Sequence, residues 1–235
     1  GERFNAEAAV LIQSTPKTGS TDDLIDQAVM LQISGDARSA AMLCRKVLTV
    51  QPGNAYAFNH LGRALFNTGS GAEALVSFDS AIKLNPAYFQ AWHNLGHVRR
   101  AQGDFKGAES AYRKAIEIAP YYQSALLNLA LLFMSRGDNA NAAEILQKLL
   151  KINPDHAEAL LNLGICHQIG RDYAEAESAF LHASRVTPGD SRIWRHLGGL
   201  YRELQDSGKS IECFRRALAI DPTAVDIRAE LVSTL

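Results

Sequence analysis

Residues 89–122 read FQAWHNLGHVRRAQGDFKGAESAYRKAIEIAPYY, and the pattern in this stretch recurs along the chain. A proline marks each recurrence, always 34 residues after the previous one: Pro52, Pro86, Pro120, Pro154, Pro188 and Pro222. Leucines keep the same period at Leu61, Leu95, Leu129, Leu163 and Leu197, and a glycine or alanine follows each of them. A period shared by several residue types indicates an internal repeat.

The proline, placed at position 32, divides most of the chain into six units: 21–54, 55–88, 89–122, 123–156, 157–190 and 191–224. In each unit, positions 4, 7, 8 and 11 form one helical stripe of apolar or small residues, and positions 20, 24 and 27 form a second. Each unit is therefore predicted to be a pair of helices. The first helix is predicted to end at a glycine: Gly35, Gly69, Gly103 and Gly137. The second helix is predicted to be capped by an aspartate: Asp36, Asp104 and Asp138.

The two ends of the chain depart from this period. Residues 1–20 resemble a degenerate capping helix, carried by Phe4, Ala8 and Leu11, and residues 17–22 are predicted to form a loop. Residues 225–235 are predicted either to be a capping helix or to begin a seventh unit.

The motif W-x2-L-G-x2-Y, followed by A-x3-F and then P, is clearest at residues 92–96 (WHNLG) and 194–198 (WRHLG). It resembles the tetratricopeptide repeat family. The resemblance implies an all-α fold, a right-handed superhelical α-solenoid of antiparallel helix pairs, with the first helices lining a concave groove. Two departures are local: Arg99 and His167 replace the aromatic residue of position 11, and repeat six lacks the turn glycine.

Composition and charge exclude several classes of function. The chain has 235 residues and a net charge of -1, which argues against a basic face for nucleic acid. No apolar run reaches the roughly 18 residues of a membrane span, so we expect no membrane insertion. The three cysteines, Cys44, Cys166 and Cys213, lie far apart, as is typical of reduced thiols in the cytoplasm.

The sequence contains no recognisable catalytic motif. Cys166 and His167 are adjacent, so on a helix they point in different directions and cannot act as a nucleophile and base. His60, His93 and His97 could approach one another, but no acidic or thiol ligand accompanies them at a fixed spacing, so we predict no metal site. We therefore expect a protein that is not an enzyme and has no cofactor.

The resemblance also implies which positions face a ligand: 2, 5, 6, 9, 12 and 13. Position 6 carries Asn94, Asn128 and Asn162 in consecutive repeats, flanked by His60 and His196. An asparagine amide both donates and accepts, which suits the backbone of an extended peptide. The pattern leaves open whether these amides bind such a peptide or only solvate the surface.

Apolar residues at groove positions mark the middle repeats: Leu127, Leu131, Leu161 and Ile165. They are predicted to form an exposed strip for a partner. Cationic residues flank the strip, with Arg63, His93, His97 and Arg100 toward one end and Arg195 toward the other. The predicted ligand is a peptide with apolar side chains at its centre and acidic groups near its ends.

The function predicted from these features is a protein–protein interaction scaffold that binds an extended peptide or partner segment. One alternative is a substrate-recruiting arm of a larger enzyme, similar to those of glycosyltransferases or sulfotransferases. Another is self-assembly through the ends of the solenoid.

Overall fold

The computed structural model describes residues 20–234, and within that range it is helical, without strands. The helices are α1 (Thr21–Ile33), α2 (Ala37–Val50), α3 (Ala55–Asn67), α4 (Gly71–Leu84), α5 (Phe89–Ala101), α6 (Phe105–Ile118), α7 (Gln123–Ser135), α8 (Asn139–Ile152), α9 (Ala157–Gly170), α10 (Tyr173–Val186), α11 (Ser191–Glu203), α12 (Ser207–Ile220) and α13 (Val225–Thr234). Consecutive helices pack in pairs, which confirms the all-α prediction. None of the helices in this range is both long and apolar enough to cross a membrane.

The described chain falls into two compact units, residues 20–111 and residues 112–234, and their boundary lies within α6. The core of the first unit is built on Phe78 and Leu95, and that of the second on Phe180 and Leu197. Throughout both units, the side chains at positions 20, 24 and 27 of every repeat are at most 1% exposed. These are the residues that the repeat pattern predicted to pack between the helices.

The first helix begins earlier than predicted. Thr21 and Asp22 are helical, although residues 17–22 were expected to form a loop. Ser20 is the N-cap: its hydroxyl accepts from the amide of Asp23 at 3.0 Å, and the Asp23 carboxylate accepts from the Ser20 amide at 3.3 Å. This reciprocal pair satisfies two amides that a helix start would otherwise leave without partners. The predicted capping helix falls on residues 1–19, outside the described range.

Contact between a glycine and an aromatic ring sets the spacing of three helix pairs. A Cβ added to Gly62 would lie 2.8 Å from the Phe78 ring, and one added to Gly198 would lie 2.7 Å from the Phe214 ring. Gly164 faces Phe180 in the same way. Real Cβ atoms do not approach carbon this closely, so only glycine lets the two helices pack at this distance.

The turns within the helix pairs keep one geometry even where glycine is missing. Gly35 adopts a φ of 90°, and the next amide, that of Asp36, donates to the carbonyl of Leu31. In repeats five and six, Arg171 and Gln205 adopt φ values of 66° and 61° at the same place. Asp172 and Asp206 then make the corresponding bonds to carbonyls five residues back. Tertiary packing thus imposes a left-handed residue where the sequence supplies no glycine, at a cost of about 1–2 kcal/mol.

The indoles of Trp92 and Trp194 pack against the apolar cores, as predicted, and also close the turns between repeats. Each indole N–H donates to the carbonyl of the proline six residues earlier, Pro86 at 2.9 Å and Pro188 at 3.2 Å. Arg228 of α13 occupies the same repeat position, and its guanidinium donates to Pro222 at 2.7 Å. A polar residue therefore replaces the tryptophan bond at the last described helix.

We predict that Gly198→Ala destabilises the protein by about 1–3 kcal/mol, because the new methyl group collides with the Phe214 ring. Gly199→Ala is the matched control, since nothing lies within 4 Å of its added Cβ. This control should gain up to about 1 kcal/mol from helix propensity. Urea unfolding of both variants measures the difference.

A second substitution should reverse part of the loss. Repeat four pairs alanine with leucine, Ala130 with Leu146, at the two positions that hold Gly198 and Phe214 in repeat six. The double variant Gly198→Ala/Phe214→Leu should therefore lose less stability than the sum of the losses of the two single variants. Equal unfolding free energies for Gly198→Ala and Gly199→Ala would contradict the packing argument.

Candidate functional site

A cluster of amides and aromatic rings lies on α3 and around the start of α5 in the first unit. We call it the amide–aromatic cluster; it comprises Tyr56, Asn59, His60, Tyr88 and Asn94. The Asn94 amide donates to the Asn59 carbonyl oxygen at 2.9 Å, and the Asn59 amide donates to the Tyr88 hydroxyl at 3.2 Å. The Tyr56 ring stacks on Tyr88, with centroids 6.0 Å apart, and lies 4.5 Å from the His60 ring. Helical spacing at positions 2, 5 and 6 places the three α3 residues on one face.

The inner part of this cluster is fixed by burial. Asn59 and His60 are 3% and 4% exposed. The His60 backbone carbonyl accepts from the side-chain amide of Gln32 at 2.7 Å, which joins α1 to α3. Tyr56, in contrast, is 48% exposed, and Asn94 is half-buried. The cluster thus has a rigid floor and an accessible rim.

Three histidines in this unit are held neutral at pH 7. Burial, with the Arg63 guanidinium as a smaller cause, lowers the pKa of His60 to about 4. Burial also lowers the pKa of His93 to about 4, against the opposing effect of a bond with Asn94. Burial first, and Arg100 second, lower the pKa of His97.

Arg63 and Arg100 remain without a carboxylate. Neither forms a hydrogen bond or ion pair with another described residue, although Arg63 is exposed and Arg100 half-buried. Arg63 acts on the pKa values of His60, His93 and Tyr88, so its charge lies close to the amide–aromatic cluster. At the positions that the resemblance placed toward a ligand, the first unit therefore presents two arginines, Arg63 and Arg100, that no described carboxylate neutralises.

In the second unit, the arginines at ligand-facing positions are paired with carboxylates. Arg195 pairs with Glu230 at 2.7 Å and also with Asp226, and Arg202 approaches Glu230 at 3.6 Å. Arg192 pairs with two carboxylates, of Asp190 and Glu158. Arg195, which was predicted to face an acidic ligand, is therefore not a free charge in this structure, because carboxylates of α13 pair with it.

The predicted asparagine ladder is divided between the two units. Asn94 lies in the first unit, where it is bonded to Asn59, and Asn128 and Asn162 lie in the second. Asn162 is 6% exposed, and its amide donates to the Glu158 backbone carbonyl at 2.7 Å. Its donor is thus occupied within its own helix.

Two other members of the predicted site are also less accessible than expected. His196 stacks on Phe180, with ring centroids 5.6 Å apart, and burial lowers its pKa. Leu161, expected in an exposed strip, is 3% exposed and belongs to the core of the second unit, with Ile165 packed against it. Leu127 and Leu131 are half-buried. The expectation of an exposed apolar strip is wrong for Leu161.

No sequence prediction named three residues of the amide–aromatic cluster, Tyr56, Asn59 and Tyr88, although Tyr56 and Asn59 stand at the ligand-facing positions 2 and 5. A sequence signal for one contact existed, because Asn59 and Asn94 are 35 residues apart, at position 5 of one repeat and position 6 of the next. Arg195 and Glu230 have the same relation and also touch. A bond between positions 5 and 6 of adjacent repeats is thus a consequence of the repeat geometry.

The described residues offer little reactive chemistry. Within residues 20–234, no group of three or more histidine, cysteine, aspartate or glutamate side chains is placed to hold a metal ion. The three cysteines are free and buried, and burial raises the pKa of each thiol to about 11. These thiols are protonated at neutral pH and therefore weak nucleophiles. What the surface can do is recognise other groups through amides, rings and charges.

Comparisons with known proteins identify the repeat family of the chain. A family model described as the cytochrome c-type biogenesis protein H TPR domain matches residues 85–192, and a tetratricopeptide repeat model matches residues 170–225. The chain is a tetratricopeptide repeat protein, of a class that generally mediates protein–protein interactions. No curated protein sequence matches it.

Solved structures share the fold at low sequence identity. The structure of YrrB, described as a TPR protein with an unusual peptide-binding site, is 20% identical with a TM-score of 0.69 over 82% of this chain and 98% of that one. Pseudomonas aeruginosa PilF is 17% identical with a TM-score of 0.79, over 91% of this chain and 97% of that one. A chain of the APC/C hetero-tetramer Cut9–Hcn1 is 16% identical with a TM-score of 0.75. The match covers 100% of this chain and 46% of that one.

We predict that the protein loses stability as the pH falls from about 6.5 toward 4, in part through His60. The folded state holds the pKa of His60 near 4, against an ordinary value of 6.5. In this window the unfolded chain binds a proton that the folded chain does not, so acid favours unfolding. The stabilisation is complete above pH 6.5, and its loss by pH 4 should be about 3 kcal/mol.

Urea unfolding at pH 7 and pH 4.5 tests this effect. His60→Gln should show a smaller difference between the two pH values than the wild type. Tyr56→Phe, which alters the same cluster without removing an imidazole, should keep the wild-type difference. An unchanged difference in His60→Gln would show that His60 does not contribute.

Proposed function

We propose that the chain is a non-enzymatic scaffold that binds an extended, acidic peptide segment of a partner protein over the amide–aromatic cluster. The observation that carries this proposal is the unneutralised charge of Arg63 beside that cluster, with Arg100 further along α5 as a second unneutralised charge. In the second unit, the corresponding charges are balanced by the chain itself. A carboxylate from a partner would supply in the first unit what Glu230 supplies to Arg195.

The amides give this surface a means to hold a peptide backbone. Asn94 donates one hydrogen of its side-chain amide to Asn59 and is also bonded to His93, and an amide offers two donor hydrogens and an acceptor oxygen in all. Asn59 is buried and bonded at both ends, so it fixes the orientation of Asn94 before a ligand arrives. Such preorganisation reduces the entropy lost on binding.

The rings define the rest of the ligand. Tyr56 is half exposed, and its ring packs against those of Tyr88 and His60. It therefore offers an ordered apolar surface to a peptide side chain. The neutral imidazoles of His93 and His97 add no positive charge at pH 7, so Arg63 and Arg100 carry the electrostatic attraction. YrrB is a repeat protein of the same fold with a peptide-binding site, which supports this class of ligand.

We predict that peptides selected for binding to the wild-type protein are enriched in aspartate and glutamate. Changing both Arg63→Gln and Arg100→Gln should weaken their binding about tenfold or more, because two charge-assisted hydrogen bonds are lost. Affinity of the wild type should also fall with added salt. Fluorescence anisotropy with labelled selected peptides measures both effects.

Arg38→Gln is the matched control, since it removes the same charge from an exposed position on α2, the second helix of its pair. It should leave affinity within about twofold of the wild type. A selection without acidic enrichment, or an equal loss in the control and the double variant, would overturn the proposed site.

A second candidate function follows from the match of residues 85–192 to the cytochrome c-type biogenesis protein H TPR domain. It favours a role in the assembly of c-type cytochromes, with the cytochrome polypeptide as partner. We predicted a cytoplasmic location from the three cysteines, and we propose that location only for the first candidate, the scaffold that binds an acidic peptide.

These two candidates differ in a binding assay. If the second is right, the purified protein should bind a c-type cytochrome polypeptide before haem attachment, and more strongly than the folded holoprotein. Surface-bound protein and the two forms of cytochrome give a direct comparison. Equal or no binding to both forms would leave the acidic-peptide scaffold as the supported function.

A further inference from the structure

A shallow cavity of about 460 Å³, largely open to solvent, lies between α9 and α10 in the second unit, apart from the surface discussed above. Its floor is apolar and nearly buried, and includes Leu160, Leu163 and Ala179. Its rim is polar and includes His167, Glu175, Ser178 and His182. On α9 the cavity is lined by positions 4, 7 and 11 of the repeat, a different stripe from the ligand-facing positions 5, 6 and 9.

A departure from the repeat accounts for this space. Position 11 holds Phe133 in repeat four and Tyr201 in repeat six, and both rings are buried. His167 stands there in repeat five, and an imidazole is smaller than either ring. The neighbouring residue of α10 at position 22 is Ser178, where repeats four and six have the longer Glu144 and Glu212. Smaller side chains on both helices leave the cavity open.

The polar rim consists mainly of hydrogen-bond acceptors. The Nε2 of His182 lies 2.9 Å from the Asp155 carboxylate, and the Nδ1 of His167 lies 3.4 Å from that of Asp172. An ionised carboxylate only accepts, so these nitrogens carry a proton, and an imidazole with a single proton has an acceptor at its opposite nitrogen. Glu175 adds a further carboxylate. Among the described lining residues there is no lysine or arginine.

We propose that this cavity binds the side chain of a lysine from a partner protein. The ammonium group has three donors and no acceptor, which suits a rim of imidazole nitrogens and a carboxylate. The alkyl stem of lysine can lie along the apolar floor while its charge stays at the polar rim. Asp155, Asp172 and Glu175 give the site a negative potential that favours a cation.

A metal ion fits the site less well. Zinc needs three or four protein ligands at about 2.0–2.2 Å for nitrogen and oxygen. In the described part of the chain, no three such side chains are brought together for an ion. The apolar floor would also contribute nothing to an ion, whereas it matches an alkyl chain.

The test uses the whole protein at pH 8, with the ring nitrogens of histidine observed by NMR. The probe is N-acetyl-lysine N-methylamide, and N-acetyl-norleucine N-methylamide is the control ligand with a similar stem and no ammonium. We expect saturable shifts of the His167 and His182 resonances with the lysine probe in the millimolar range. The norleucine probe should give shifts at least tenfold weaker.

Two variants locate the site. His167→Phe should fill the cavity, raise the melting temperature and remove the response of His182 to the lysine probe. Arg99→Phe, which adds the same ring at position 11 of another repeat, should leave that response unchanged. Glu175→Gln keeps the cavity and should weaken binding at least threefold, which gives a test that does not depend on filling the core.

Several results would overturn the proposal. Equal shifts with the lysine and norleucine probes would show that the ammonium is not recognised, and tighter binding of putrescine would indicate a free amine as the ligand. Saturable binding of Zn²⁺ without a response to the lysine probe would make the cavity a metal site. A response of His182 that persists in folded His167→Phe would place the binding elsewhere.

Discussion

Close packing between position 8 of the first helix and position 24 of the second is the contact on which the repeats depend. Positions 8 and 24 of each repeat vary together in this chain. Glycine stands at position 8 where position 24 is aromatic, as in Gly62 with Phe78 and Gly198 with Phe214. Alanine stands there in the two repeats where the partner is not aromatic, Ala28 with Cys44 and Ala130 with Leu146. The combined bulk of the two positions is therefore limited, because protein interiors tolerate neither a void nor an overlap at such a contact.

This constraint separates the residues that pack from those that remain free to differ. Positions 20, 24 and 27 are buried in every repeat, and they vary little beyond small and large apolar types. Positions 2, 5, 6, 9 and 12 carry tyrosine, asparagine, histidine, arginine, leucine or glutamate in different repeats. The same scaffold thus presents an unneutralised pair of arginines in one unit and a set of ion pairs in the other. Exposed ion pairs contribute little to stability, so the pairs of the second unit change the charge of its surface more than they stabilise its fold.

The repeat period was sufficient to predict the helix pairs and the buried positions because both follow from local periodicity. It was not sufficient for Arg171 and Gln205, whose left-handed conformation is imposed by the turn and not by their own preference. Leu161 was assigned to the surface because position 5 faces a ligand in this family, yet its neighbours bury it. Local sequence does not report how deeply a position is covered by adjacent repeats.

The polar contacts between repeats could have been predicted with one additional rule. Asn59 with Asn94, and Arg195 with Glu230, join position 5 of one repeat to position 6 of the next. Whether such a pair is satisfied internally depends on the two residue types together. When a guanidinium lies beside a carboxylate, the two charges balance each other within the chain. Two amides complete one hydrogen bond and keep further donors and acceptors at their rim, so an amide pair leaves the surface able to bind a peptide backbone.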